Sequence, residues 1–360
     1  GPMSRGLGDV YKRQPFGRPG IIAGLALVLM ETISDFGTVD YFAIETLTLG
    51  VFNVWLGMNS LSGASQISSI LFMIVIVLLT LEYLGRRSRK FHEKYSGASY
   101  TPTQTVSGIK NSLLFLICLI PLSLGFIIPV SILLNFVIKG YSIINFIEIF
   151  QITLSSISLA FISSSFIMLL SLLMIIVGAY KSNNFQKILI FFASSGYAFP
   201  GTILAVGIVV FVGWLNDLIY FRMSYAVGGF IILLFAYSIR FLAVGNGAIT
   251  SGISRIHPNL LDASRTMGVS FFKSIRKIIL PLLYTNLLVG GILVFVDILK
   301  ELPITLLLRP FNFETLATYV YQYASDEMLE ESAFAALIIV IAGLGPVIFL
   351  NRTITKSIKN

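Results

Sequence analysis

The sequence is poor in the residue types from which soluble catalytic and metal sites are built. Its 360 residues include one cysteine, Cys118, and two histidines, His92 and His257. A lone cysteine excludes an intrachain disulfide framework and any cysteine-built metal site, and two distant histidines exclude a histidine cluster. Charged residues make up only 12% of the chain. No GxxxxGK(S/T) phosphate loop is present, so nucleotide binding in that mode is excluded. The polar segments hold no nucleophile–base constellation of the kind an enzyme needs. The apolar runs are continuous and lack apolar/polar alternation, which disfavours a β-barrel.

What the chain has in excess is apolar surface. Apolar residues make up 56% of it and its mean hydropathy is +0.89, more than a soluble domain requires. Runs long enough to cross a bilayer recur along it. The chain therefore reads as an all-α polytopic membrane protein with about eight transmembrane helices, near 20–39, 66–84, 111–138, 149–179, 188–214, 224–244, 282–302 and 333–350. Pro121, Pro129 and Pro200 fall inside these runs and are expected to kink or break them.

The net charge of +8 is unevenly placed. Lysine and arginine concentrate in 85–110, 181–187, 245–281 and 352–360. The segments 40–65, 140–148, 215–223 and 309–332 carry Arg222, Arg309 and little else that is basic. The positive-inside rule puts the first set, with the C-terminus, in the cytosol and the second set outside. Basic charge placed this way reports topology, and nucleic acid is not an expected partner.

The stretch 262–281, DASRTMGVSFFKSIRKIILP, separates two long apolar runs. Asp262-Ala263-Ser264 opens a short helix with an acid in its first turn, which the helix dipole favours. Gly268 is placed to take the positive φ that ends this helix, and a second helix is predicted from near Ser270. Phe271, Phe272, Ile275, Ile278 and Ile279 recur at helical spacing on one face, with Lys273, Arg276 and Lys277 on the other. Pro281 marks entry into the next apolar run.

This pattern resembles the EAA loop of binding-protein-dependent ABC transporter permeases: Glu-Ala-Ala, three residues, Gly, nine residues, then Ile-x-Leu-Pro. Asp262 stands in place of the Glu and Ser264 in place of the second Ala, while Gly268, Ile278, Leu280 and Pro281 keep the spacing. The resemblance implies a type I ABC importer permease-like helical bundle in a bacterial inner membrane. Such a chain is a transport subunit and not an enzyme, and it binds no cofactor of its own. Its implied partners are a cytosolic ABC ATPase dimer that uses ATP and Mg, an extracytoplasmic solute-binding protein and the lipid bilayer. The implied ATPase-coupling residues are Asp262, Ala263, Ser264, Gly268, Phe271, Phe272 and Pro281, within a loop spanning 245–281. Phe271 and Phe272 would anchor that loop against the inner ends of the spans.

The chain also repeats itself. A shift of 266 residues lays Pro15 on Pro281, Gly24 on Gly290, Glu31 on Asp297 and Asp35 on Glu301. After a three-residue insertion, Glu45-Thr46-Leu47 matches Glu314-Thr315-Leu316. With the resemblance, this divides the chain into a two-span remnant of a first permease half (15–84), a cytosolic linker (85–110) and a complete six-span second half (111–360). The first half would then lack four spans and most of its coupling loop. Residues 1–14, GPMSRGLGDVYKRQ, read as a tag-derived leader.

In each repeat the two acids are four residues apart and share a helix face. Each pair begins sixteen residues after a matched proline, roughly 24 Å along a helix at about 1.5 Å per residue. Intramembrane carboxylates are costly and usually face a pathway or a partner, and their oxygens suit hard cations. Glu31, Asp35, Asp297 and Glu301 are thus candidates to line a translocation pathway with a metal ion as cargo. Two other readings stand beside this one. The acids could sit at the membrane interface, partnered by Lys300 and Arg309. They could instead help dock the loops near 45 and 314 onto the binding protein, a contact to which Asp326, Glu327, Glu330 and Glu331 could add if they are more than a solvated loop.

Tyr197, Tyr319, Tyr321 and Tyr323 offer phenolate oxygens for iron, or form an interfacial belt. Gly196, Gly201 and Gly207 with Ser194 and Ser195 give a small-residue face suited to helix packing. The stretches AGLALVLMETISDFGTVDYF (23–42), VDILKELPITLLLRPFNFETLAT (296–318) and YAFPG (197–201) are most similar to the fused-half ferric-iron permeases, which implies ferric iron as the solute. Thiamine, polyamine or another small solute is the alternative, and a secondary transporter the next.

Overall fold

A chain this apolar must satisfy its backbone hydrogen bonds within its own segments, and helices do so without help from water. The computed structural model describes residues 21, 24–26, 28–87, 108–140, 145–180, 183–219, 225–257 and 259–359, and all regular structure among them is helical. The leader 1–14, Pro15 and most of the 85–110 linker lie outside the described residues.

Among the described residues, six helices are long and apolar enough to span a membrane: α4 (Leu61–Arg87), α5 (Ile109–Lys139), α6 (Phe146–Tyr180), α9 (Tyr225–Ile253), α11 (Phe271–Leu299) and α14 (Leu329–Lys359). Shorter apolar helices are α1 (Gly24–Ser34), α3 (Leu47–Gly57) and α8 (Gly201–Ile219). The rest are α2 (Gly37–Tyr41), α7 (Asn184–Ala193), α10 (Asn259–Thr266), α12 (Pro303–Leu308) and α13 (Leu316–Ser325).

Six of the eight expected spans are therefore long helices, and two differ. The run 20–39 contains the short α1, which ends at Ser34 before the chain turns into α2. The run 188–214 is not one helix, because α7 stops at Ala193 and α8 begins only at Gly201. Pro200 has no N–H to donate and holds Phe199 in an extended conformation (φ −87°, ψ 130°), so no helix can run through it.

The other prolines act differently. Pro121 lies inside α5, which continues through a π-turn at Ser123–Ile127, and Pro129 falls in the first turn after that π-turn. A second π-turn, Ile275–Ile279, precedes Pro281 in the same way. Widened turns of this kind absorb the missing donor without ending the helix. Consequently α11 starts at Phe271, and Pro281 lies within a continuous span instead of marking its start.

The centre of the bundle is the packing of α6, α9 and α11 on one another. Leu159, Ile167, Leu233, Tyr237, Phe241, Ile249, Leu283, Val294 and Ile298 fill it. In contrast, α5 buries no residue of its most apolar window and packs on α14 through its C-terminal part, leaving a broad apolar surface of the kind a bilayer covers.

The repeat is visible in backbone detail. α1 to α4 and α11 to α14 each run long or apolar helix, short helix, threonine-capped helix, long helix. Thr46 and Thr315 both cap the third helix, accepting from the N–H of Leu49 and Thr318. Non-glycine residues with positive φ also recur at corresponding turns: Ala43 (52°) with Asn312 (59°) and, one residue out of register, Asn59 (52°) with Glu327 (61°).

Candidate functional site: an acid-lined cavity between the repeats

The two acid pairs meet. A cavity of about 460 Å³ lies where the end of α1 faces the end of α11, lined by Glu31, Asp35, Tyr197, Arg240, Asp297, Lys300 and Glu301. Phe36, Phe241 and Pro303 complete its apolar wall. All four carboxylates predicted from the repeat thus share one space. Among the described residues, no group of three or more His, Cys, Asp or Glu side chains is close enough to hold a metal ion as a preformed centre. The acids line a cavity and do not form a closed cage.

The floor is a buried ion pair. Arg240 Nη1 lies 3.3 Å from Glu301 Oε1, and the two side chains are 8% and 7% exposed. Glu301 Oε1 also accepts from the Ile304 N–H at 3.2 Å, which caps α12. Thr305 donates its hydroxyl to the Glu301 carbonyl at 2.7 Å and shares a 2.6 Å hydrogen bond with Tyr237. Gly201 opens α8 directly against this pair: a Cβ there would collide with Arg240 Nη1 and lie 2.8 Å from Glu301 Oε1. Arg240 was not among the residues found by spacing. The available signal was a single arginine in an otherwise apolar run, which must find an acid if it is buried.

The rim is looser. Lys300 Nζ lies 3.1 Å from Asp297 Oδ1 and 4.0 Å from Glu31 Oε1, with Lys300 53% and Glu31 55% exposed. Tyr197 donates its hydroxyl to Glu31 Oε2 at 3.5 Å. Asp35 Oδ1 accepts from the Thr38 N–H at 3.4 Å, holding the turn into α2. Lys300 is thus a local partner of the acids, as the interfacial reading expected, but Arg309 is not. Arg309 bonds Glu314 Oε1 and Thr318 Oγ1, each at 3.2 Å, and so ties down the cap of α13.

The four tyrosines do not gather. Tyr197 alone lines the cavity, Tyr321 donates to Asp40 Oδ2 at 2.7 Å, and Tyr319 and Tyr323 pack with tilted rings whose centroids are 4.5 Å apart. Burial, reinforced by the hydrogen bond with Tyr323, holds the Tyr319 hydroxyl far above its ordinary pKa, so it is a neutral phenol at physiological pH. Of the acidic run, Asp326 and Glu327 are exposed while Glu330 and Glu331 are half-buried.

The helix–elbow–helix predicted at 262–281 is present, but its first helix begins at Asn259, three residues before the Asp262 expected to open it. α10 ends, Gly268 takes φ +77°, and α11 begins one residue after Ser270. Ser264 and Ser274, both buried, join the two arms by a 2.7 Å hydroxyl–hydroxyl hydrogen bond. The expected anchor differs in one residue: Phe271 is half-buried, but Phe272 is 84% exposed and turns away from the bundle. Phe272 lies about 100° round the helix from Phe271, at the edge of the apolar face; further along the same helix Ile279 is fully buried.

Residues 171–360 match the family of binding-protein-dependent transport system inner membrane components. The chain belongs to this family. The permease is 24% identical over 350 residues to the Fe(3+)-transport system permease protein FbpB 2 of Haemophilus influenzae, a match covering 95% of this chain and 67% of that protein. It is 22% identical over 358 residues to the ferric transport system permease protein FbpB of Actinobacillus pleuropneumoniae, covering 91% and 49%. The chain therefore spans about two thirds of one of these relatives and half of the other. A solved bacterial ABC transporter involved in the import of the acidic polysaccharide alginate has the same fold, with TM-score 0.54 and 17% identity over 68% of this chain and 96% of that one. The permease is thus a multi-pass inner-membrane protein of all-α type.

Proposed function

We propose that this permease carries ferric iron across the inner membrane as part of an ATP-driven importer. The observation that carries the reading is the convergence of Glu31, Asp35, Asp297 and Glu301 from both repeats on one cavity. Oxygen donors of this kind favour hard cations, and the two curated relatives are named for ferric transport. In this reading an extracytoplasmic binding protein delivers the ion, and the acids line its route. A cytosolic ATPase dimer, using ATP and Mg, engages the 245–281 segment, with Asp262, Ala263, Ser264, Gly268, Phe271, Phe272 and Pro281 as the coupling element and the C-terminus cytosolic. Exposed Phe272 and Met267 lie on that element and offer apolar contact to such a partner. The chain itself supplies no nucleotide chemistry.

The test is uptake of radioactive ferric ion into vesicles by the complete permease assembled with its ATPase and binding protein. Glu31→Gln and Asp297→Asn are expected to lower uptake about tenfold or more, the scale of lost charge pairing in a partly buried site. Unchanged uptake in both variants would overturn the reading. The aromatic wall of Tyr197 and Phe241 beside the acids would also suit an organic cation. Thiamine and spermidine therefore belong in the same assay as competitors, and either of them displacing iron as the preferred solute would favour that reading.

A further inference from the structure

Lys300 breaks the repeat. The position 266 residues earlier is Ser34, which is buried and uncharged, so the rim carries one ammonium for acids drawn from both halves. Lys300 reaches Asp297 of its own repeat at 3.1 Å and Glu31 of the other at 4.0 Å. Arg240 cannot take this part. It is buried, bound to Glu301 and backed by Gly201, and its Nε–H has no hydrogen-bond partner among the described residues. Lysine is a compact point charge on a flexible stem; Lys300 and Glu31 are each about half exposed and their 4.0 Å contact is weakly held, whereas Asp297 is 18% exposed and holds the ammonium at 3.1 Å. Its ammonium can leave without disturbing the floor.

We infer that Lys300 is the resident counter-ion of the cavity, a specificity-determining side chain that a hard multivalent cation displaces from Asp297 and Glu31. A single ammonium neutralises the rim when no cargo is present, and only an ion of higher charge competes successfully for both carboxylates at once. Monovalent ions and weakly bound divalent ions are excluded on that ground. The inference rests on the proposed reading of the acids as the cation's route.

The experiment is titration of the purified full chain with terbium(III), a hard trivalent probe whose emission a nearby tyrosine sensitises. The parent protein should bind it, and Tyr197→Phe should lower the sensitised signal, which places the ion in the cavity. Lys300→Gln should tighten binding about fivefold and let calcium compete better, while Lys300→Arg stays near the parent, as expected for charge competition. Glu31→Gln and Asp297→Asn should each weaken binding about tenfold. If Lys300→Gln stays within about twofold of the parent while the acid variants still weaken binding, the counter-ion role is wrong and the cavity reading survives. If neither acid variant changes binding, the cavity reading fails and the inference fails with it.

Discussion

Arg240 and Glu301 form the most consequential pair of side chains in the molecule, because each is buried and each gives the other its principal charge partner. Two charges taken out of water gain little net stability by pairing, but removing one strands the other at a cost of roughly 3–5 kcal/mol. Arg240→Met and Glu301→Leu should therefore each lower the thermal midpoint in detergent markedly, and the double variant should recover most of the loss. A double variant as unstable as the sum of the two would show that the pair is not coupled. Gly201→Val should behave like the single variants, since its side chain would have to occupy the space of the pair. At this scale the sequence was only half informative. The i, i+4 acids and their repetition pointed to one shared face, and all four line one cavity. Arg240 lies 61 residues from Glu301, and nothing local in α9 says which acid it meets.

Elements are held at their ends. Thr46 and Thr315 cap matched helices, and replacing either by alanine should cost about 1 kcal/mol. Thr315→Ala should cost the more, because that threonine is buried and its cap is braced by Thr318 and Arg309. Thermal unfolding of the two variants side by side checks the order. The elbow between α10 and α11 depends on Gly268 at φ +77°, where an L side chain costs about 1 kcal/mol or more. Gly268→Val should leave membrane insertion intact and uncouple ATP hydrolysis from transport in the assembled importer. Normal coupling in that variant would remove this segment from the proposed mechanism. The elbow could be read from a glycine at a helix end, and the capped turns from their matching Glu-Thr-Leu. The break at 194–200 was harder, since hydropathy runs straight through it and only Pro200 objects. The outward turn of Phe272 was hidden because residue type alone does not say which of two adjacent phenylalanines, about 100° apart on a helix, faces the bundle.

At the scale of the whole chain, two repeats enclose one cavity and touch again beyond it, where Tyr321 of α13 donates to Asp40 of α2. Burial and the adjoining Asp40 carboxylate push the Tyr321 hydroxyl well above its ordinary pKa, so it remains a donor at any physiological pH. Tyr321→Phe should lower stability by about 1 kcal/mol, the usual worth of such a hydrogen bond, with no change in the pH dependence of unfolding near neutrality. The general arrangement of the spans was legible from apolar run length. The repeat was legible from a constant shift. What the sequence could not give was the wall-to-wall placement of the two halves, which depends on packing between residues hundreds of positions apart.

Gly201 seats α8 on the ion pair, and through it α9 and the α11–α12 junction are joined to the same block. The opposite wall, residues 31–38, reaches that block through the weak Lys300 and Tyr197 contacts and the approach of Gly37 to Leu302. One side is locked in place and the other is lightly latched. Releasing the contacts of Glu31 with Lys300 and Tyr197 would loosen the N-terminal wall at the rim and leave the Arg240–Glu301 block intact.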